Sequence, residues 1–67
     1  MNKHASHDVI LAFESFLVGH INFQELIDYL ERKSIESKEY TYTVSKYKDE
    51  YHLFRNNIMV TTGVSNA

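Results

Sequence analysis

The sequence predicts a small α+β domain in which a hairpin of two helices packs on one face of an antiparallel sheet. Apolar residues recur at helical spacing in the first half of the chain and alternate with polar ones, as strands do, in the second half. Between two apolar helical runs, the segment 19–26 combines signals that end one helix and begin another. A chain of 67 residues suits one domain, so residues 1–67 are assigned to a single unit.

The first helix is expected over about residues 7–18, after a frayed segment 1–5. Ser6 can act as its N-cap, and Asp8 in the first turn suits the positive end of the helix dipole. At helical spacing, one broad face carries the residues expected in the core: Val9, Ile10, Phe13, Phe16, Leu17 and His20.

Two aliphatic residues of this helix fall outside the core face. Leu11 and Val18 are seven positions apart and therefore lie above one another on the opposite side. Isolated exposed aliphatics are common on protein surfaces. The pair is therefore either an ordinary piece of surface or a self-association interface, and the second reading predicts a homodimer.

The turn between the helices carries the clearest local signal in the chain. Gly19 can adopt the left-handed conformation that ends a helix without a steric penalty. Asn22 and Glu25 have the spacing of a capping box, and Ile21 and Leu26 flank it as a hydrophobic staple. A second helix is therefore expected over about residues 23–35, with an apolar face of Phe23, Leu26, Ile27 and Leu30.

Three strands are expected after the helices, over about residues 39–46, 50–55 and 58–62, followed by a frayed tail 63–67. The Asn56-Asn57 pair suits a two-residue hairpin turn because asparagine tolerates positive φ. This turn places Leu53 opposite Val60 and Phe54 opposite Met59. The alternative is one long hairpin that turns at Lys48-Asp49, with the asparagines in a bulge.

The alternation of side chains predicts a sheet with two unlike faces. Leu53, Ile58 and Val60 are expected to face the helices. Two helices cover only one side of the sheet, so the other side should stay open to a partner. The residues expected on this partner-binding side are Thr41, Thr43, His52, Phe54 and Met59.

Composition argues against several functional classes. The chain has no cysteine and four histidines, which do not make a zinc set at any usual spacing, so no metal or cofactor is expected. No nucleophile motif or glycine-rich phosphate loop is present, so no enzymatic activity is expected. With no apolar run long enough for a membrane span and no secretory signal pattern, the expected location is the cytoplasm.

Nucleic-acid binding is the alternative to protein binding. Two helices followed by a hairpin resemble the last part of a winged helix, although its usual third helix is absent. Basic residues could contact phosphates from two places: Arg32, Lys33 and Lys38 near the end of the second helix, and Lys46 and Lys48 in the hairpin. The net charge of −2 and the acidic exposed face of the second helix argue against this alternative.

The function expected from the sequence is therefore that of a small protein-interaction module, a regulator or inhibitor that acts by binding another protein. Its small size and lack of chemical motifs are typical of proteins that phages and mobile elements encode, so such an origin forms part of the hypothesis. The residues do not identify the partner.

Overall fold

The two helices and the three-stranded antiparallel sheet are present in a computed structural model that describes residues 7–65. The elements follow one another as α1 (His7–Leu17), α2 (Phe23–Ser37), β1 (Tyr42–Tyr47), β2 (Glu50–Arg55) and β3 (Ile58–Val64). The strand order β1-β2-β3 is a meander, which confirms the three-stranded prediction over the single long hairpin. The expected N-cap Ser6 and the segment 1–5 lie outside the described residues.

The capping box predicted at the start of α2 is confirmed. The Asn22 side chain accepts a hydrogen bond from the Glu25 backbone N–H at 2.8 Å, and the Glu25 carboxylate accepts one from the Asn22 N–H at 2.8 Å. Gly19 has a φ of 88°, which is the left-handed conformation expected at the end of the first helix. At its other end, α2 stops where Lys38 adopts a φ of 63°.

The core lies between the helices and one face of the sheet. Its buried side chains come from both helices and from the first two strands: Val9, Phe13, Phe16, Leu26, Leu30, Tyr42 and Leu53. Apolar burial of this kind is the main force that holds the two layers together. The helices thus cover the face that Leu53 occupies, which is called the inner face below.

Each helix lies over a different part of the sheet. Helix α2 contacts β1, where the Tyr42 N–H donates a hydrogen bond to the Ser34 hydroxyl oxygen at 2.8 Å. The C-terminal end of α1 lies over β3, because a Cβ added at Gly63 would collide with the Leu17 Cδ1. The β3 edge of the sheet therefore lies beneath this end of α1.

Two expectations about the helices are wrong. His20 was expected to extend the core face of the first helix, but α1 ends at Leu17 and His20 is exposed in the turn that follows. Phe23 was placed on the apolar face of the second helix together with Leu26 and Leu30, yet 42% of it is exposed. It lies in the first turn of α2, where its ring packs edge-on against Phe16 at 5.6 Å between centroids.

The second hairpin differs from its expected register. The turn at Asn56-Asn57 is confirmed by φ values of 51° and 68°, and Phe54 is opposite Met59 as predicted. Leu53, however, is opposite Thr61 instead of Val60. Because β3 carries one extra residue at this point, Val60 sits in a β-bulge that shifts the register beyond it.

Two further corrections concern the ends of β3. Ile58 was expected to face the core but is 71% exposed, at the first position of the edge strand beside the Asn56-Asn57 turn. The tail expected from Gly63 onwards begins later: Gly63 and Val64 pair with β2 and belong to the sheet. The last two residues of the chain lie outside the described range.

Candidate protein-binding surface

The face of the sheet opposite the core, called the outer face below, consists of three rows of side chains that run across the strands. One row holds Thr43, Phe54 and Met59, the next Ser45, His52 and Thr62, and the last Tyr47, Glu50 and Val64. Directly opposed residues of an antiparallel sheet point to the same face, and neighbours along a strand point to opposite faces. Because Leu53 is buried on the inner face, all nine of these residues lie on the outer face.

The apolar side chains of the outer face are in contact with solvent. The exposed fraction is 55% for Met59, 53% for Val64 and 63% for Tyr47, whereas Leu53 on the inner face is fully buried. Phe54 is half-buried, as expected for a large ring on a sheet surface with neighbours on both sides. The first and last rows thus present accessible apolar groups, and the row between them is polar.

His52 supplies the main polar group at the centre of this surface. Its Nε2 atom lies 3.3 Å from Oε1 of Glu50, and its ring lies 6.4 Å from that of Phe54 at an angle of 31°. Ser45 is its cross-strand neighbour, but no hydrogen bond between Ser45 and His52 occurs among the described residues. The pair of His52 and Glu50 can exchange hydrogen bonds with a bound molecule, and its geometry provides no activated nucleophile.

The structure brings together four of the five residues expected at the partner-binding side. Thr43, His52, Phe54 and Met59 lie on the outer face in two adjacent rows. Thr41 lies just before β1, where its N–H donates a hydrogen bond to the Asn56 side chain at 2.8 Å. Thr41 therefore closes the end of the sheet beside this surface.

Two apolar residues of the outer face escaped the sequence-based prediction. Tyr47 was assigned to a charged turn and Val64 to the tail. The alternation that placed Thr43 on this face continues through Ser45 to Tyr47, so the two-residue period of the strand could have predicted that Tyr47 lies on this face. Val64 could not be found in this way, because the bulge at Val60 reverses the alternation along β3.

The two residues expected to mediate self-association remain on the surface. Leu11 is 47% exposed and Val18 is 53% exposed. Both lie away from the core, with Leu11 on α1 and Val18 directly after its last residue. They are separate from the outer face, because α1 packs on the inner face of the sheet.

The basic residues considered for nucleic acid form two separate groups. Lys38 caps the end of α2 next to Tyr42, the first residue of β1, whereas Lys48 follows the last residue of that strand. Six residues of extended chain separate Tyr42 from Lys48, a span of about 20 Å. Asp49 in the turn after β1 and Glu50 at the start of β2 add negative charge near Lys48, so these two groups of cations do not form a continuous basic surface.

Several of these cations already have partners. Lys33 lies 3.8 Å from Asp8 and 3.7 Å from Glu36, and its ammonium is 5.6 Å from the Tyr29 ring centre. Electrostatic interaction with Tyr29, then with Glu36 and Asp8, raises the pKa of Lys33 against the opposing effect of desolvation. Arg32 also lies near the Tyr29 ring, whereas Lys46 and Lys48 lie 5.5 Å from the rings of Tyr51 and Tyr47, respectively.

Other kinds of site find little support in the described part of the chain. No group of three or more histidine, aspartate or glutamate side chains within residues 7–65 could hold a metal ion. No helix in that range has the length and apolar character needed to cross a membrane. A shallow depression beside the interhelical turn is walled by Phe16, Phe23 and Tyr51, whose rings already pack against one another.

Comparison with known proteins finds no matching family model, no matching curated protein and no matching solved structure. The functional argument therefore starts from the outer face itself.

Proposed function

We propose that this domain is a protein-binding module and that the outer face of its sheet is the binding surface. The observation that supports the proposal is the exposure of apolar residues on this face, above all Met59 and Tyr47, within a chain that buries the opposite face. No described element covers the outer face, because both helices lie on the inner one. A partner that covered it would remove apolar surface from water, which favours association.

The composition of the outer face suits recognition of another protein. Phe54, Met59 and Tyr47 are of the residue types that are enriched in interface centres. His52 lies between the apolar rows, Glu50 lies within the last one, and this pair can provide the directional hydrogen bonds that select a partner. The complementary surface would therefore be mainly apolar, with a polar group opposite this pair.

The size of the outer face limits the strength of such binding. Three strands about 4.8 Å apart and about 20 Å long give a projected area on the order of 300 Å². A standard stable interface buries about 800 Å² on each partner. The outer face of one chain therefore suits a weak or transient contact, or a part of a larger surface.

A regulator or inhibitor is the role that fits this picture. A domain that contributes a surface and no reaction acts by occupying or repositioning its target. We retain an origin in a phage or mobile element and a cytoplasmic location as parts of this hypothesis, and the proposal assigns the domain no catalytic step.

The proposal is tested by affinity capture from the native host with a matched pair of variants. Met59→Lys places a charge next to Phe54 in an apolar row, and Ile35→Lys makes the same kind of change at a residue of α2 that is 75% exposed. Both sites are at the surface, so both variants should unfold at nearly the same temperature as the wild type. We expect the Met59 variant to lose a protein that the wild type and the Ile35 variant both retain.

Direct binding to the captured protein then completes the test. Titration of that purified protein should show at least about tenfold weaker binding of the Met59 variant, the loss expected for a charge placed in an apolar contact. Equal binding of both variants and the wild type would refute the outer face as the binding surface.

A further inference from the structure

Strand β3 is an edge strand with unusually little protection against pairing with another strand. In the meander β1-β2-β3, it has a neighbour on one side only among the described residues. Charged residues make up 24% of the chain, yet the seven residues Ile58–Val64 include none, and they include no proline. Natural edge strands usually carry lysine, proline or an inward-pointing charge that prevents such pairing.

The one protective feature of β3 is the bulge at Val60, which interrupts the regular edge near the turn. Beyond the bulge, residues 61–64 form a regular segment whose outward backbone groups can extend the sheet. The opposite edge differs, because β1 carries Lys46 and α2 packs beside its first residue. Strand addition is therefore favoured at β3.

The residues beyond the bulge are compatible with a second copy of the same strand. Thr62 lies on the outer face opposite His52, whereas Thr61 and Gly63 lie on the inner face. When a sheet continues across a two-fold axis, opposed residues must point to the same face. An axis at Thr62 satisfies this condition. It places the two copies of Thr62 opposite each other, and Thr61 of one copy opposite Gly63 of the other.

The absence of charge along β3 favours a copy of this chain as the occupant. Each chain has a net charge of −2, but none of its charged side chains lies on β3. Like charges directly opposite each other destabilise a strand pair, and β3 brings none to the contact. A threonine pair at the axis is one of the cross-strand pairs that stabilise sheets.

The position of α1 adds a second contact on the same side of the molecule. Because Leu17 at the end of α1 packs against Gly63, edge pairing would bring the two copies of this end of α1 towards each other above the joined sheets. The exposed aliphatic residues Leu11 and Val18 belong to this helix and the turn that follows it. Val18 directly follows Leu17 and would flank the pairing, so its exposure and the unprotected strand edge would have one cause.

We propose that two copies of this chain pair through the free edges of β3 around a two-fold axis at Thr62, giving one six-stranded antiparallel sheet with the four helices on one side. The pairing joins the two outer faces into a continuous surface of about twice the area, on the order of 600 Å². This inference stands on the edge strand and α1, so it holds or fails separately from the proposed function of the outer face.

The test is sedimentation of the purified full chain with charge variants at the axis. The wild type should sediment as a dimer at micromolar concentration. Thr62→Lys places two lysines opposite each other across the axis. We expect their repulsion to raise the dimer dissociation constant by at least about tenfold. Thr43→Lys is the matched control, since it is an exposed threonine on the same face of the other edge strand, and it should leave the dimer intact.

A mixing experiment tests the symmetry itself. Thr62→Lys and Thr62→Glu should each be largely monomeric alone, and an equimolar mixture should restore the dimer, because the axis then opposes unlike charges. A monomeric wild type would overturn the proposal. A dimer that Thr62→Lys leaves intact but Leu11→Glu dissolves would also overturn it, since the helices alone would then hold the copies together.

Discussion

At the scale of a single residue, Asn56 links the turn between β2 and β3 to the chain that enters β1. It occupies the hairpin turn with a φ of 51°, which asparagine tolerates better than most residues. Its side-chain oxygen accepts a hydrogen bond from the Thr41 N–H at 2.8 Å, and its amide lies 3.3 Å from the Glu39 carbonyl oxygen. Its own backbone N–H donates to the Thr41 carbonyl at 2.9 Å. One residue thus makes the turn and fixes the chain that enters β1.

We predict that Asn56→Ala lowers the free energy of unfolding by about 2 kcal/mol, from the lost hydrogen bonds and the strain of a positive φ. Asn57→Ala is the matched control, since Asn57 has a φ of 68° in the same turn and no side-chain hydrogen bond among the described residues. It should cost about half as much. Urea denaturation measures both, and equal losses would show that the side-chain bonds of Asn56 contribute nothing.

Local signals of this kind could be predicted from the sequence. The asparagine turn and the capping box at Asn22 each depend on residues that are adjacent in the chain, and both are confirmed. The clamp between Asn56 and Thr41 could not be predicted, because it joins residues 15 positions apart. It depends on a strand pairing that local patterns leave open.

The packing of α1 over β3 illustrates the limits of prediction at the scale of whole elements. Gly63 was expected in a loose tail, but it lies in β3 directly beneath Leu17. The absence of a side chain lets the helix approach the sheet at this position. A lone glycine near the end of a sequence equally indicates a turn or a tail, so only the three-dimensional contact reveals its role. The bulge at Val60 was unpredictable for a similar reason, since it becomes visible only against its partner strand.

We predict that Gly63→Ala destabilises the domain by about 1–3 kcal/mol, because the new methyl group overpacks the contact with Leu17. In a Leu17→Ala background, the same change should cost little or even stabilise the strand, since alanine is a better strand residue than glycine. Thermal or urea unfolding of the four proteins gives the coupling, which we expect to be about 1 kcal/mol or more. Additive effects would mean that α1 does not lie on β3.

For the whole molecule, the unequal burial of the two faces of the sheet determines how the chain can act. The sequence predicted the two-layer arrangement from a change in hydrophobic period, and the structure confirms it. It also placed Phe54 and Met59 correctly on the outer face, because their facing follows from the alternation in β2 and from the turn next to it. Ile58 was misplaced because alternation gives the facing of a residue but not how far the helices extend over it.

The most direct test of the account is the free energy of unfolding of Leu53→Ala and Met59→Ala, measured by urea denaturation of the purified chain. These truncations remove side chains of similar size from opposite faces of the sheet, one fully buried and one 55% exposed. We expect a loss of about 2–5 kcal/mol for Leu53→Ala and at most about 1 kcal/mol for Met59→Ala. Similar large losses for both would contradict the account, because the outer face would then be part of the core and unavailable to a partner.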